Sequence, residues 1–172
     1  MKKLCVILPL VLILCFMVGC QNKAEKAELE KFRSQAKVEE QNKAGVIRLF
    51  EEIDKQNFDV FDEQFAEDAV FHFPPYPDVS HEADEQGLKE SYADMPDYTH
   101  TIEDIIAKGD KVVVRLTNRG TDKSSGKKIE WPVIWMGKIV NGKVVETWIM
   151  IDYLGQAQQL GMELKPKEAE KK

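Results

Sequence analysis

The chain has 172 residues, 43% of them hydrophobic and 31% charged, the proportions of one ordinary folded domain. Its formal net charge of −6 at pH 7 argues against nucleic acid as a partner, because that binding rests on neutralising phosphates. The same balance leaves no polybasic patch for a membrane surface.

Residues 1–19 read as an export signal. Lys2 and Lys3 supply a positive start, and Leu4 to Val18 an apolar run that is short for a span of about 20 residues. Met17-Val18-Gly19-Cys20 resembles a bacterial lipobox. The resemblance implies removal of Met1 to Gly19, lipidation of Cys20, export, and anchoring in a membrane of the cell envelope. The alternatives are an ordinary signal peptide or an anchor helix. Residues 20–40, starting Gln21-Asn22-Lys23 after the cysteine, read as a polar tether that grades into helix. The three cysteines are Cys5, Cys15 and Cys20, so a processed chain would offer no disulfide, cysteine metal site or thiol nucleophile.

A domain is expected over residues 41–163. Val46, Leu49, Phe50 and Ile53 recur at helical spacing and predict an amphipathic helix that covers a sheet. Asn57 ends it, and Phe58 to Ala66 reads as a second short helix. Ala69 to Phe73 reads as a strand with Val70 and His72 on one face and Phe71 and Phe73 on the other, stopped by Pro74, Pro75 and Pro77. His81 falls in a polar loop and is expected in solvent. Gly87 to Ala93 reads as a short helix with Leu88 and Tyr92 inward. His100, Ile102, Asp104 and Ile106 are expected on one face of the next strand, with His100 as pocket wall or edge residue. Gly109-Asp110 turns into a strand over Lys111 to Gly120, in which Val112, Val114 and Leu116 alternate with Val113, Arg115 and Thr117.

Asn141-Gly142 is the strongest hairpin signal, since both turn residues must tolerate φ > 0. A two-residue loop pairs Val140 with Lys143. An unbroken register then sets Trp135 opposite Trp148, Val133 opposite Met150 and Trp131 opposite Asp152. All six would share one face, an aromatic wall ending in a carboxylate. A bulge in the hairpin would turn half of them to the other face. Residues 164–172 are charged, lack apolar periodicity and read as a disordered tail.

Gly142 to Trp148, Asp152 and Gln159-Leu160-Gly161, with the pieces upstream in the same order, resemble the SnoaL-like polyketide cyclases of the nuclear transport factor 2-like fold. The resemblance runs from about Glu40 to Glu163. It implies an α+β fold: a strongly curved, mostly antiparallel sheet packed on N-terminal helices, cone-shaped with an internal pocket. It also implies that Asp152 is the general acid/base of an intramolecular aldol condensation. His72 stands where relatives carry a polar pocket residue and is the candidate second group. Trp131, Val133, Trp135, Trp148, Met150 and His100 are the candidate binding residues. No Gly-rich phosphate loop, H-E-x-x-H, G-x-S-x-G or paired-cysteine motif is present, so no metal or cofactor is implied. Three readings stay open: a cyclase or isomerase of a small apolar carbonyl compound, a binder of such a ligand without turnover, and a module that pairs as a homodimer through its outer sheet face.

Overall fold

A computed structural model describes residues 4–163 and 165, with side chains from residue 23 onward. It falls into two units, Met1–Val38 and Glu39–Lys172. Helix α1 (Leu4–Asp54) starts in the first and ends in the second. Within the first unit Leu29 and Phe32 are exposed. Among the described residues no helix is long and apolar enough to cross a membrane. The side chains of the signal stretch and Cys20, and the tail 164–172 apart from Lys165, lie outside the described residues.

The second unit continues with α2 (Val60–Gln64), β1 (Phe65–His72), β2 (Val79–Ser80) and α3 (His81–Asp94). Then come β3 (Thr99–Lys108), β4 (Lys111–Thr121), β5 (Lys128–Val140), β6 (Lys143–Ile151) and α4 (Tyr153–Leu160). The strands form one sheet in the order β2-β1-β6-β5-β4-β3. Only β1 and β6 run parallel. The architecture is therefore α+β, with helices packed on a mostly antiparallel sheet, as expected.

Period-two alternation gives the sheet one apolar face. Three of the rows of side chains that cross it lead to the site. Ile102, Leu116, Val133 and Ile151 form one; Ile105, Val114, Trp135 and Ile149 form the next. His100, Asn118 and Trp131 form the third, nearer the ends of the strands. Val46, Leu49, Phe50 and Ile53 of α1, all buried, close over this face together with Val60 and Phe61. Truncating one such side chain to alanine typically costs about 2–5 kcal/mol.

Where the structure departs from the sequence reading, the cause is an inserted residue or an unrecognised cap. The Asn141-Gly142 turn is as expected, with φ of 52° and 79° and Val140 paired with Lys143. Beyond Ile139–Val144, however, Val145 is extra, and Lys138 pairs with Glu146. From there Trp135 faces Ile149 and Val133 faces Ile151, while Trp148 pairs with Met136 and Met150 with Ile134. Trp148 and Met150 therefore lie on the outer face, and the single aromatic wall is corrected. A second irregularity, at Glu103, turns Asp104 and Ile106 outward and Ile105 inward. His81 is not a loop residue in solvent. It is the buried first residue of α3, which starts early because the Ser80 side chain accepts the Ala83 N–H.

Candidate functional site

Two adjoining cavities open off the apolar face. The inner one, about 90 Å³, is lined by Phe50, Phe61, Phe71 and Trp135, with Asp84, His100 and Asn118 as its polar groups. The outer one, about 510 Å³, is lined by Tyr76, Met95, Trp131, Tyr153 and residues of α3. Phe73, Asp84, Leu88, Tyr98 and Ile151 line both, so the two meet there. The outer volume suits a drug-sized ligand; the inner suits only part of one.

His100 is fixed by Asp54, the last residue of α1. Its Nδ1 lies 2.6 Å from Asp54 Oδ1, and its backbone N–H reaches both carboxylate oxygens at 3.1 Å. The Tyr92 hydroxyl adds a third donor to Asp54 at 3.1 Å. With Asp54 accepting from Nδ1–H, Nε2 is the nitrogen left to exchange a proton with a ligand. The imidazole is 5% exposed, packed between the rings of Phe50 and Tyr98. Desolvation, then Asp54, pushes the Tyr92 phenol well above its ordinary value. Burial does the same to Tyr98. Both stay neutral donors.

Asp84 has a different environment. It projects from the first turn of α3 to the junction of the cavities, half-buried. Burial raises its pKa from 3.8 to about 7, so near neutrality the acid and carboxylate forms coexist. A group poised in this way can give or take a proton.

The predicted site residues scatter. Val133, Trp135 and His100 line the inner cavity and Trp131 the outer. Trp148 and Met150 line neither. His72 also lies on the outer face, stacked on Trp148 with ring centroids 5.2 Å apart. Its Nδ1 is 2.7 Å from Asp78 and its Nε2 3.0 Å from Glu146, and these hydrogen bonds hold its pKa above the ordinary histidine value. It therefore cannot serve a group inside the sheet. Asp152 is exposed and caps α4, accepting the Gly155 N–H at 2.8 Å.

Sequence reasoning missed Asp54, Asp84, Tyr98 and Asn118. One signal was available: Asn118 continues the parity of Val112, Val114 and Leu116, which puts an amide on the core face of β4. Asp54 and His100 are 46 residues apart and Asp84 lies in a polar stretch, so neither carries a local signal.

The model of a family described as SnoaL-like polyketide cyclase matches residues 44–160. Among solved structures, IdmH of Streptomyces antibioticus, a candidate polyketide cyclase, is 26% identical over 70% of this chain and 99% of its own, with a TM-score of 0.64. AclR of Streptomyces galilaeus, a candidate hydroxylase, is 21% identical over 72% of this chain and 97% of its own, with a TM-score of 0.67. A SnoaL-like polyketide cyclase of Agrobacterium tumefaciens is 17% identical, covering 70% and 98%, with a TM-score of 0.61. No curated protein matches the chain.

Proposed function

The chain belongs to the SnoaL-like polyketide cyclase family, and on that premise we propose that it binds a small, largely apolar carbonyl compound and moves protons on it by general acid–base catalysis. The observation that carries this reading is the approach of two different proton-transfer groups to one apolar cavity: the Asp54-oriented His100 and the poised Asp84. His100 Nε2 takes a proton from the carbon next to the carbonyl. Asp84, in its acid form, gives its proton to the carbonyl oxygen. The product is the enol; where a conjugated double bond extends it to a dienol, the imidazolium returns its proton at the far carbon while the enol O–H returns its own to the Asp84 carboxylate, which isomerises the compound. Attack of the enol carbon on a second carbonyl closes a ring; the new alkoxide takes its proton from the imidazolium, and the former enol oxygen returns its proton to the Asp84 carboxylate as its carbonyl re-forms. The likeness to IdmH supports the ring-closing form. Asp152, the acid at the resembled position, has a capping role instead.

The test is deuterium exchange into β-tetralone, an apolar bicyclic ketone with acidic hydrogens beside its carbonyl, followed by NMR. Wild type is expected to speed exchange, with the rate falling above about pH 7 as Asp84 loses its proton. Asp84→Asn and His100→Gln should each lose about 10²–10⁴-fold, and Asp152→Asn almost nothing. Tight binding with no exchange would leave a carrier of apolar ligands, the reading that the roomy outer cavity favours on its own.

Two properties of the whole chain complete the proposal. Cys20 carries a lipid anchor, supported by Lys2 and Lys3, the apolar run and the lipobox-like Met17-Val18-Gly19 before it. Cys20→Ser is expected to release the protein from the membrane fraction; unchanged processing and unchanged fractionation would rule the anchor out. The outer sheet face pairs with a second copy, supported by the exposure of Val70, Ile134 and Met150.

A further inference from the structure

We infer that His72 is a latch on the outer face of the sheet: it closes the neck of the loop over residues 73–78, and that loop is the gate through which a ligand enters and leaves the outer cavity. His72 is the last residue of β1, and Asp78 is the last before β2. Beside the Phe71–Val79 pair of the ladder, their side chains meet at 2.7 Å, His72 Nδ1 on Asp78 Oδ1. On its other side His72 Nε2 lies 3.0 Å from Glu146 of β6, and the ring stacks on Trp148 of the same strand. The loop carries one wall of the cavity, since Phe73, Tyr76 and Pro77 line it. A turn, in which the Tyr76 N–H donates to the Phe73 carbonyl at 2.7 Å, leads into an edge-on contact of Tyr76 with Tyr153 of α4, ring centroids 5.8 Å apart. Both tyrosines line the cavity and are exposed, 57% and 42%, so the cavity meets solvent beside them. The loop is thus held at two ends, by Tyr153 at its tip and by His72 at its neck.

His72 exchanges no proton with a ligand; it acts through the loop. As an imidazolium it donates from both ring nitrogens, to Asp78 and to Glu146 at once. As a neutral ring it keeps one N–H. In one tautomer the Asp78 bond is lost; in the other it joins the carboxylate to an uncharged donor and is the weaker for it. The charged groups facing the ring are Asp78 from the loop and Glu146 from β6, and Lys138 of β5 stands opposite Glu146 in the ladder. The hydrogen bond from Asp78, then that from Glu146, raises the imidazole pKa above 6.5. The folded value therefore exceeds the unfolded one. The tie is complete below the unfolded value and is lost as pH rises through the folded one. Acid closes the loop, and mild alkali frees it.

The gate rests on the outer cavity being a ligand site, the reading given above, but it needs neither turnover nor the chemistry of His100 and Asp84. Hydrogen–deuterium exchange of residues 73–80, read by mass spectrometry on the full chain and corrected for the chemical rate at each pH, measures opening of the loop. Wild type is expected to open about 10-fold more as pH rises through the His72 titration, which NMR of the imidazole follows. Asp78→Asn keeps the shape of the loop, and His72→Phe keeps the stack on Trp148. Each should open readily at every pH, with the rest of the sheet protected as in wild type. Exit of the neutral ketone β-tetralone, followed by tryptophan emission in stopped flow, should quicken by the same factor under the same conditions. A flat exchange profile in wild type, or an Asp78→Asn variant that keeps the wild-type step, would overturn the latch. Ketone exit that ignores the opening of the loop would overturn the gate. A loop that follows His72 in a protein that takes up no ketone would uphold the latch and defeat the ligand-site reading instead.

Discussion

A buried carboxyl is expensive unless donors take its charge, and Asp54 and Asp84 stand on opposite sides of that rule. Asp54 accepts from the Tyr92 hydroxyl and from the backbone N–H and ring of His100. Asp84 gains burial alone, and its pKa moves from 3.8 to about 7. Because the folded value lies above the unfolded one, the folded chain holds more protons across that interval. Stability therefore falls as pH rises from about 4 to 7, and above that a buried carboxylate persists. Asp84→Asn is expected to be more stable than wild type at pH 8, by on the order of 2 kcal/mol once partial exposure is allowed for. At pH 4 the two should melt together. Urea denaturation at both pH values measures this; a variant equally destabilised at both would show that Asp84 carries no strained charge. A residue that weakens the fold while facing the cavity is the pattern of a functional group.

At the scale of the element, the long hairpin shows what local chemistry controls. The Asn141-Gly142 turn is set by two residues that accept positive φ, and its position is readable from them alone. The facing of the strands is not, because Val145 adds one residue to β6 and no turn signal announces it. In β5 the packing hangs on a glycine. The Trp135 indole lies over Gly137, where a Cβ would stand 2.2 Å from a ring carbon. Trp135 is 4% exposed and cannot swing away without opening the inner cavity. Gly137→Ala should therefore cost about 1–3 kcal/mol as an overpacked core position. It should also shift tryptophan emission. Unchanged stability and emission would mean that the ring has room to move.

For the molecule as a whole, the outer sheet face is the counterpart of the cavity face. Ile134 and Met150 are direct cross-strand partners there, 41% and 54% exposed. Neighbouring apolar side chains left in water favour self-association. Sedimentation of the domain is expected to show a dimer, and Ile134→Lys a monomer with the tryptophan emission of the inner face preserved. A wild-type monomer at tens of micromolar would remove the pairing reading.

Periodicity and turn chemistry are local, so the kinds of element and much of the core are readable from the residue pattern. Val46, Leu49, Phe50 and Ile53 marked the helix face, and Val112, Val114 and Leu116 the strand face. Family resemblance extended this to the α+β architecture that the family match supports. Tertiary structure alone decided the site. The parallel pairing of β1 with β6 joins segments more than 70 residues apart. Two inserted residues sent Trp148, Met150 and Asp104 outward. Asp54 met His100, and Asp84 lost its water, only when α1 and α3 closed on the sheet. A side chain's face depends on every residue between it and the nearest register mark, and its pKa on neighbours distant in sequence. Neither quantity is contained in a local pattern.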